Sequence, residues 1–351
     1  LFEVARAQGI SVMNLDFLRL RRHRGLGWIK WWKSVRRARR RFAEELVTRK
    51  VELVHFNDLI DLPFYSVPRR LGIPALSHLR FILADPTAKA FYRRLARQSR
   101  IRVLPVSAAV AKAMLPNDKS IPHQVLYDPS PDRTLFRPCT EELHEERRML
   151  RANFGWGERD FVVGMVSKLL EAKGHLNFLS VAERLEQLGP TGFRFLMVAG
   201  PSPGRDRYRR EVLERGQSLA TGSFQWVPGA PHEEVPRLLR ASDCFLHLPD
   251  TEDSLPGVVL EAMACGLPVV SWRSGGVPEE LEDGKAGVLL EAGDLEGVVE
   301  GVRRLRADTN FRDEVVQRAL ERLDTTFSEE AHFDLLRVTY RNALEQAPPR
   351  W

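Results

Sequence analysis

The chain has 351 residues, 43% of them hydrophobic and 28% charged, with a net charge of +6. This is the composition of a globular protein too long for one ordinary core, so two domains are expected. It excludes a disulfide scaffold and a helical membrane protein: there are three cysteines, and no apolar run approaches the ~18 residues of a spanning helix.

Cys139, Cys244 and Cys265 match no metal spacing and are expected as small core residues. No secretory leader is read at the start, and a cytoplasmic location is expected. The charge is divided unevenly. Residues 1–155 hold 30 basic against 15 acidic side chains, and the rest hold 23 against 32. Such asymmetry suits an anionic partner for the first half, with lipid, nucleic acid and a phosphorylated acceptor all candidates.

Residues 1–8 resemble the end of a helix closed by Gly9, before an apolar stretch at 11–16. A doubly wound domain normally opens on a strand and a glycine-rich turn before its first helix, and neither is read here. Residues 19–41 follow, an arginine-rich run holding Trp28, Trp31 and Trp32. A solvated helix packing its tryptophans on the domain explains this run. So does a helix lying on an anionic membrane surface. Nucleic-acid binding is disfavoured, because no signature of a nucleic-acid fold accompanies the basic residues.

Beyond it, short apolar strands alternate with helical stretches, the pattern of parallel sheets covered by helices. Strands are predicted at 11–16, 52–56, 75–79, 103–106 and 124–127, and then at 161–166, 194–198, 224–227, 244–248, 268–271 and 287–290. Helices are predicted, among others, at 173–188, 233–241 and 295–305. Residues 128–138, dense in proline and aspartate, form the expected connector between two α/β halves. The expected domains are 1–137 and 138–327, followed by a last amphipathic helix and tail over 328–351 that folds back across both.

The most informative segment is 249–270, PDTEDSLPGVVLEAMACGLPVV. It reads as an acidic loop, a glycine, a short apolar helix and a buried strand. Asp253 and Glu261 lie eight positions apart on either side of Gly257. An isolated pair of acids around a helix start is commonly a cap plus a surface residue. Here the first helical amides carry the positive end of the dipole and can hold a phosphate, while the carboxylates can accept from sugar hydroxyls. A nucleotide-sugar fits both features.

These residues resemble the retaining glycosyltransferases of family 4, which have the GT-B fold of two Rossmann-like parallel-sheet domains facing across a cleft. The family pattern is Glu, seven residues, Glu, then Ala-Met-Ala-x-Gly-x-Pro-Val. The chain shows it as Asp253, Glu261 and Ala262 to Val269, with aspartate as the first acid and Glu252 just before it. Ser274-Gly275-Gly276-Val277-Pro278-Glu279 and Asp283-Gly284 to Gly287 match as well, and so does Ser167-Lys168-Leu169 to Lys173-Gly174, where lysine replaces arginine.

The resemblance implies transfer of a sugar from a nucleoside diphosphate to an acceptor hydroxyl with retention, without a metal or other cofactor. Lys168, Lys173 and the backbone of Ser254, Leu255, Pro256 and Gly257 would face the diphosphate. Glu261 would accept from the ribose, Asp253 from the transferred sugar, and the loop at Gly229 would hold the base. Arg80 falls on the family's histidine, with His78 two residues before it; both are expected near the donor, and His55 is a weaker candidate. The acceptor would be a carbohydrate or, given residues 19–41, a lipid-linked one at a membrane face. The same fold also serves nucleotide-sugar epimerases and glycoside phosphorylases, and a non-catalytic GT-B module remains a third reading.

Overall fold

The computed structural model describes residues 2–15, 17, 27–116, 120–189, 192–200 and 202–346. Residues 19–26 of the basic run lie outside them. The chain divides into two compact units. The first comprises Leu1–Pro105, Ala111–Val125 and Leu336–Trp351, and the second Val106–Val110 and Leu126–Leu335.

The first unit holds a parallel sheet in the order β1-β2-β3, formed by β1 (Val54–Phe56), β2 (Ala75–Leu79) and β3 (Arg102–Pro105). Its helices are α1 (Phe2–Ala7), α2 (Gly27–Thr48), α3 (Ser66–Arg70) and α4 (Pro86–Ser99), with most of α5 (Ala108–Met114). The 22-residue α2 is amphipathic: Val35, Ala38 and Leu46 are buried on one side, while Arg36, Arg37, Arg40 and Arg41 are exposed. Asp85 caps α4 by accepting from Thr87 N and Ala88 N, and Pro86 takes the first helical position, where no N–H is needed.

Two expected strands are absent. Residues 11–15 pair with no strand. The side chains of α2 hold them instead, Arg41 donating to Asn14 O at 3.2 Å and Arg49 to Ser11 Oγ at 2.7 Å. An apolar alternation makes a strand only when an edge is there to pair with. Residues 124–127 also form no strand. Val103 receives one hydrogen bond from Gln124 N, and the chain then turns away between Pro122 and Pro129.

The second unit contains six parallel strands in the order β6-β5-β4-β7-β8-β9. These are β4 (Phe161–Lys168), β5 (Phe193–Gly200), β6 (Phe224–Val227), β7 (Cys244–His247), β8 (Val269–Trp272) and β9 (Val288–Leu290). Around them run α6 (Glu141–Asn153), α7 (His175–Gln187), α8 (Asp206–Gln217), α9 (Val235–Arg240), α10 (Gly257–Ala264), α11 (Val277–Glu280), α12 (Leu295–Ala307) and α13 (Thr309–Thr325). Helices cover both faces, so successive residues of one strand enter different cores. Along β7, Cys244 and Leu246 pack with Phe178, Phe195 and Val302, whereas Phe245 packs with Val259, Met263 and Phe327. The connector 128–138 counts with this unit: Ser130 N donates to Phe327 O, and Phe136 is buried beside Phe245.

The last helix, α14 (Glu329–Glu345), is shared between the units. His332 Nδ1 lies 2.7 Å from Tyr127 O in the second unit, and Tyr340 OH lies 2.6 Å from His55 Nδ1 in the first. Cys244 and Cys265 are core residues, with thiols pushed up by burial, Cys265 to about 12. Cys139 departs from expectation and is only half-buried, because it sits in the connector ahead of α6.

Candidate active site

The strand order of the second unit reverses between β4 and β7. In an open parallel sheet the two crossovers leave that point in opposite directions, and a crevice opens beyond the carboxyl ends of those strands. Lys168 ends β4 and is exposed, and the loop 248–256 leaves β7. The expected donor residues of the second unit therefore sit at the position where sheet topology makes a site.

Glycines bring these loops together. Gly174 has φ +74°, and a Cβ there would stand 1.7 Å from Leu248 O, so only glycine lets the turn before α7 approach the loop after β7. Asn177 closes the same contact, donating to Leu248 O at 3.0 Å and to Asp250 Oδ1 at 2.8 Å. Gly275 does likewise beneath Asp253, at φ +52° with a Cβ position 1.7 Å from Asp253 O; Gly276 N donates to that oxygen at 2.9 Å.

On this frame Lys173 Nζ donates to Asp253 Oδ2, and His247 Nε2 lies 3.9 Å from the same oxygen. The backbone of Ser254 is fixed by Ser107 Oγ, which donates to its carbonyl at 2.7 Å. Pro256 precedes α10 and offers no side-chain cap, and Gly257 is exposed, so the first amides of this helix face outward with their dipole. Glu261, one turn on, is partly buried. Burial raises its carboxyl above the usual range, and His232 draws it back. A carboxylate so desolvated gains from any hydroxyl that donates to it. Beside Lys168, a hollow of about 400 Å³ is lined by Val166, Gly200 and the Pro228-Gly229-Ala230-Pro231 loop.

His78 and Arg80 fall in the first unit. His78 is buried on β2; Arg80 Nη2 lies 3.3 Å from its Nδ1, and Arg80 Nε donates to Asn57 Oδ1 at 3.4 Å. The rings of His78 and His55 are 5.9 Å apart at the carboxyl ends of β2 and β1. The expected residues thus form two clusters, one in each unit.

Three groups near Asp253 carried no role in the sequence reading. Glu279 accepts from Ala108 N and Ala109 N at 2.7 and 2.8 Å and from Tyr127 OH at 2.9 Å, anchoring segment 106–110. Its place after the glycine pair was the available signal. His247 and Glu280 are buried inside an apolar run and a helix turn, where sequence gives no hint of a neighbouring carboxylate. Burial lowers the His247 imidazole to about 4 and lifts the Glu280 carboxyl well above its ordinary value.

His175, the first residue of α7, is also fully buried and lowered to about 4, with Ser167 Oγ 2.9 Å from Nε2. It stays neutral in the fold while an unfolded chain protonates it below about 6.5. Its contribution to stability is therefore complete above pH 6.5 and lost as pH falls toward 4. Glu280 acts in the opposite sense, so a difference isolates the histidine. Between pH 7.5 and 4.5 the parent should lose up to about 3 kcal/mol more than His175→Gln, read by urea unfolding at both pH values.

Comparison with known proteins places these features. Residues 146–322, half of the chain, match the family of glycosyl transferases group 1. The chain belongs to that family. D-inositol 3-phosphate glycosyltransferase of Salinispora arenicola (strain CNS-205) is 31% identical over 197 residues, which are 55% of this chain and 44% of that protein. The protein of the same name from Mycobacterium tuberculosis (strain CDC 1551 / Oshkosh) is 31% identical over 220 residues, 62% of this chain and 43% of its own length. The match thus spans less than half of these relatives. Among solved structures, a glycosyltransferase from Rickettsia africae ESF-5 superposes with a TM-score of 0.81 at 16% identity, over 98% of this chain and 88% of that one. Anabaena Alr3699/HepE in complex with UDP gives 0.79 at 20% identity, over 97% and 89%. The fold is accordingly GT-B, as the motif resemblance implied.

Proposed function

We propose that the chain transfers a sugar from a nucleoside diphosphate to an acceptor hydroxyl with retention at the anomeric carbon. The observation that carries this reading is the meeting of Lys173, Asp253 and the uncapped start of α10 at the strand-order reversal. In this reading the diphosphate rests on the N–H groups of Leu255 and Gly257, and Lys168 and Lys173 offset the charge that grows on it as the glycosidic bond breaks. Fixed charges of this kind act without reorganising during the reaction. When phosphate draws Lys173 away, Asp253 is released to accept from hydroxyls of the sugar and hold it for attack from the leaving-group face. Glu261 accepts from the ribose, and the base enters the hollow at Gly229. The basic, tryptophan-bearing α2 suits a membrane-proximal, lipid-linked acceptor.

The Anabaena relative was solved with UDP, which makes UDP the first probe, with GDP, ADP and CMP beside it. A nucleotide at one hundred times its Kd should add about 2.7 kcal/mol of stability, a rise in Tm of several degrees. If none of the four moves Tm, the donor-site reading is wrong. An epimerase would convert the nucleotide-sugar alone, whereas the transferase needs an acceptor, and the anomeric proton coupling of the product reports retention.

A further inference from the structure

The first unit contains a second concavity, of about 1060 Å³, between α2, residues 59–63 and α4. Its wall holds Trp28, Trp32, Ile60 and Phe91, which remain 49%, 54%, 39% and 61% exposed. Solvent-facing aromatic surface of this extent is typical of a binding surface. Arginines complete the lining, and no acid lines it among the described residues. Arg40 is paired with Glu44, and the Arg36 guanidinium lies 5.3 Å from the centre of the Trp32 ring. Arg39 donates to Ser66 Oγ at 2.6 Å, and its neighbour Arg70 is a like charge that, with burial, disfavours its protonated form.

Among the described residues, the groove therefore presents an apolar wall and a pair of arginines side by side. Its wall is hydrocarbon and aromatic, which a free sugar phosphate would leave uncovered. Its cations, Arg39 and Arg70, lie together and call for an anion. One class of occupant answers both: a lipid whose chain lies along the tryptophans and whose phosphate meets the arginines. We propose that this groove binds a single lipid whose phosphate headgroup carries net negative charge, and that this lipid is the acceptor. Only the second clause rests on the transferase reading.

The test uses the whole chain and its tryptophan fluorescence. Dihexanoyl phosphatidic acid, kept below its micellar concentration, is titrated beside dihexanoyl phosphatidylcholine and inorganic phosphate. Phosphatidic acid should give a saturable blue shift and bind at least tenfold more tightly than either control. Arg70→Glu and Phe91→Ser, both at exposed positions, should each weaken it tenfold or more while leaving the UDP-induced rise in Tm unchanged. Equal binding of phosphatidylcholine would reduce the groove to general apolar stickiness. Equal binding of phosphate would reduce it to an anion site. Binding to anionic vesicles without binding of monomeric lipid would assign the surface to the bilayer, and a groove covered by a second copy would show as a dimer that binds neither lipid. Each of these outcomes overturns the proposal. If UDP binds and the lipid does not, this inference fails alone; if the lipid binds and no nucleotide does, the transferase reading fails instead.

Discussion

Glu261→Ala should reduce sugar transfer by at least two orders of magnitude without destabilising the chain. Glu261 is partly buried on α10, its carboxyl raised by burial, beside the buried Val259, Leu260, Ala262 and Met263. Two ribose hydroxyls donating to it would each contribute about 1.5–3 kcal/mol, as hydrogen bonds to a charged group do. Their loss corresponds to roughly 10²–10⁴ in donor affinity. In the fold itself the same carboxylate is a desolvated charge, so alanine, a strong helix former, should leave Tm unchanged or slightly higher. Donor titrations and thermal melts on one preparation give both numbers. A variant that unfolds would show Glu261 to be structural, and one that turns over like the parent would remove it from the donor site.

Lys173→Ala should lower kcat roughly 10²–10³-fold, the range found when one preorganised donor to a developing anion is removed. The structure adds a second consequence. Lys173 holds Asp253, and without it the carboxylate keeps, among the described residues, the neutral His247 at 3.9 Å. Both partners are partly exposed, so the stability lost is about 1 kcal/mol. Lys173→Arg restores charge but not the compact geometry of an ammonium, and it should recover only part of the rate. A parent-like kcat in Lys173→Ala would remove the lysine from the reaction.

Much of this was legible in the sequence because it depends on local pattern. The apolar runs at 75–79 and 224–227 are the strands β2 and β6 at the same residues. Segment 249–270 announces loop, helix and strand because Gly257 and Gly266 bracket an apolar helix too short for anything but a crossover. What escaped depends on partners distant in the chain. Residues 11–15 read as a short apolar strand, yet α2 side chains take their polar groups. The reversal between β4 and β7 is a choice of neighbours that neither strand's residues reveal. The sequence pointed Lys173 at a phosphate, and its pairing with Asp253 appears only once Gly174 and Gly275 have brought two loops together. His247 escaped for the same reason, being one polar residue in a buried strand.

A diphosphate docked between Lys173 and the start of α10 would show in calorimetric titration of UDP and of uridine into the parent chain and into Lys173→Ala. The variant should bind UDP at least tenfold more weakly and uridine as well as the parent does, because only the diphosphate meets the lysine. Equal affinity of parent and variant for UDP would contradict this docking, and so would an equal loss for UDP and uridine.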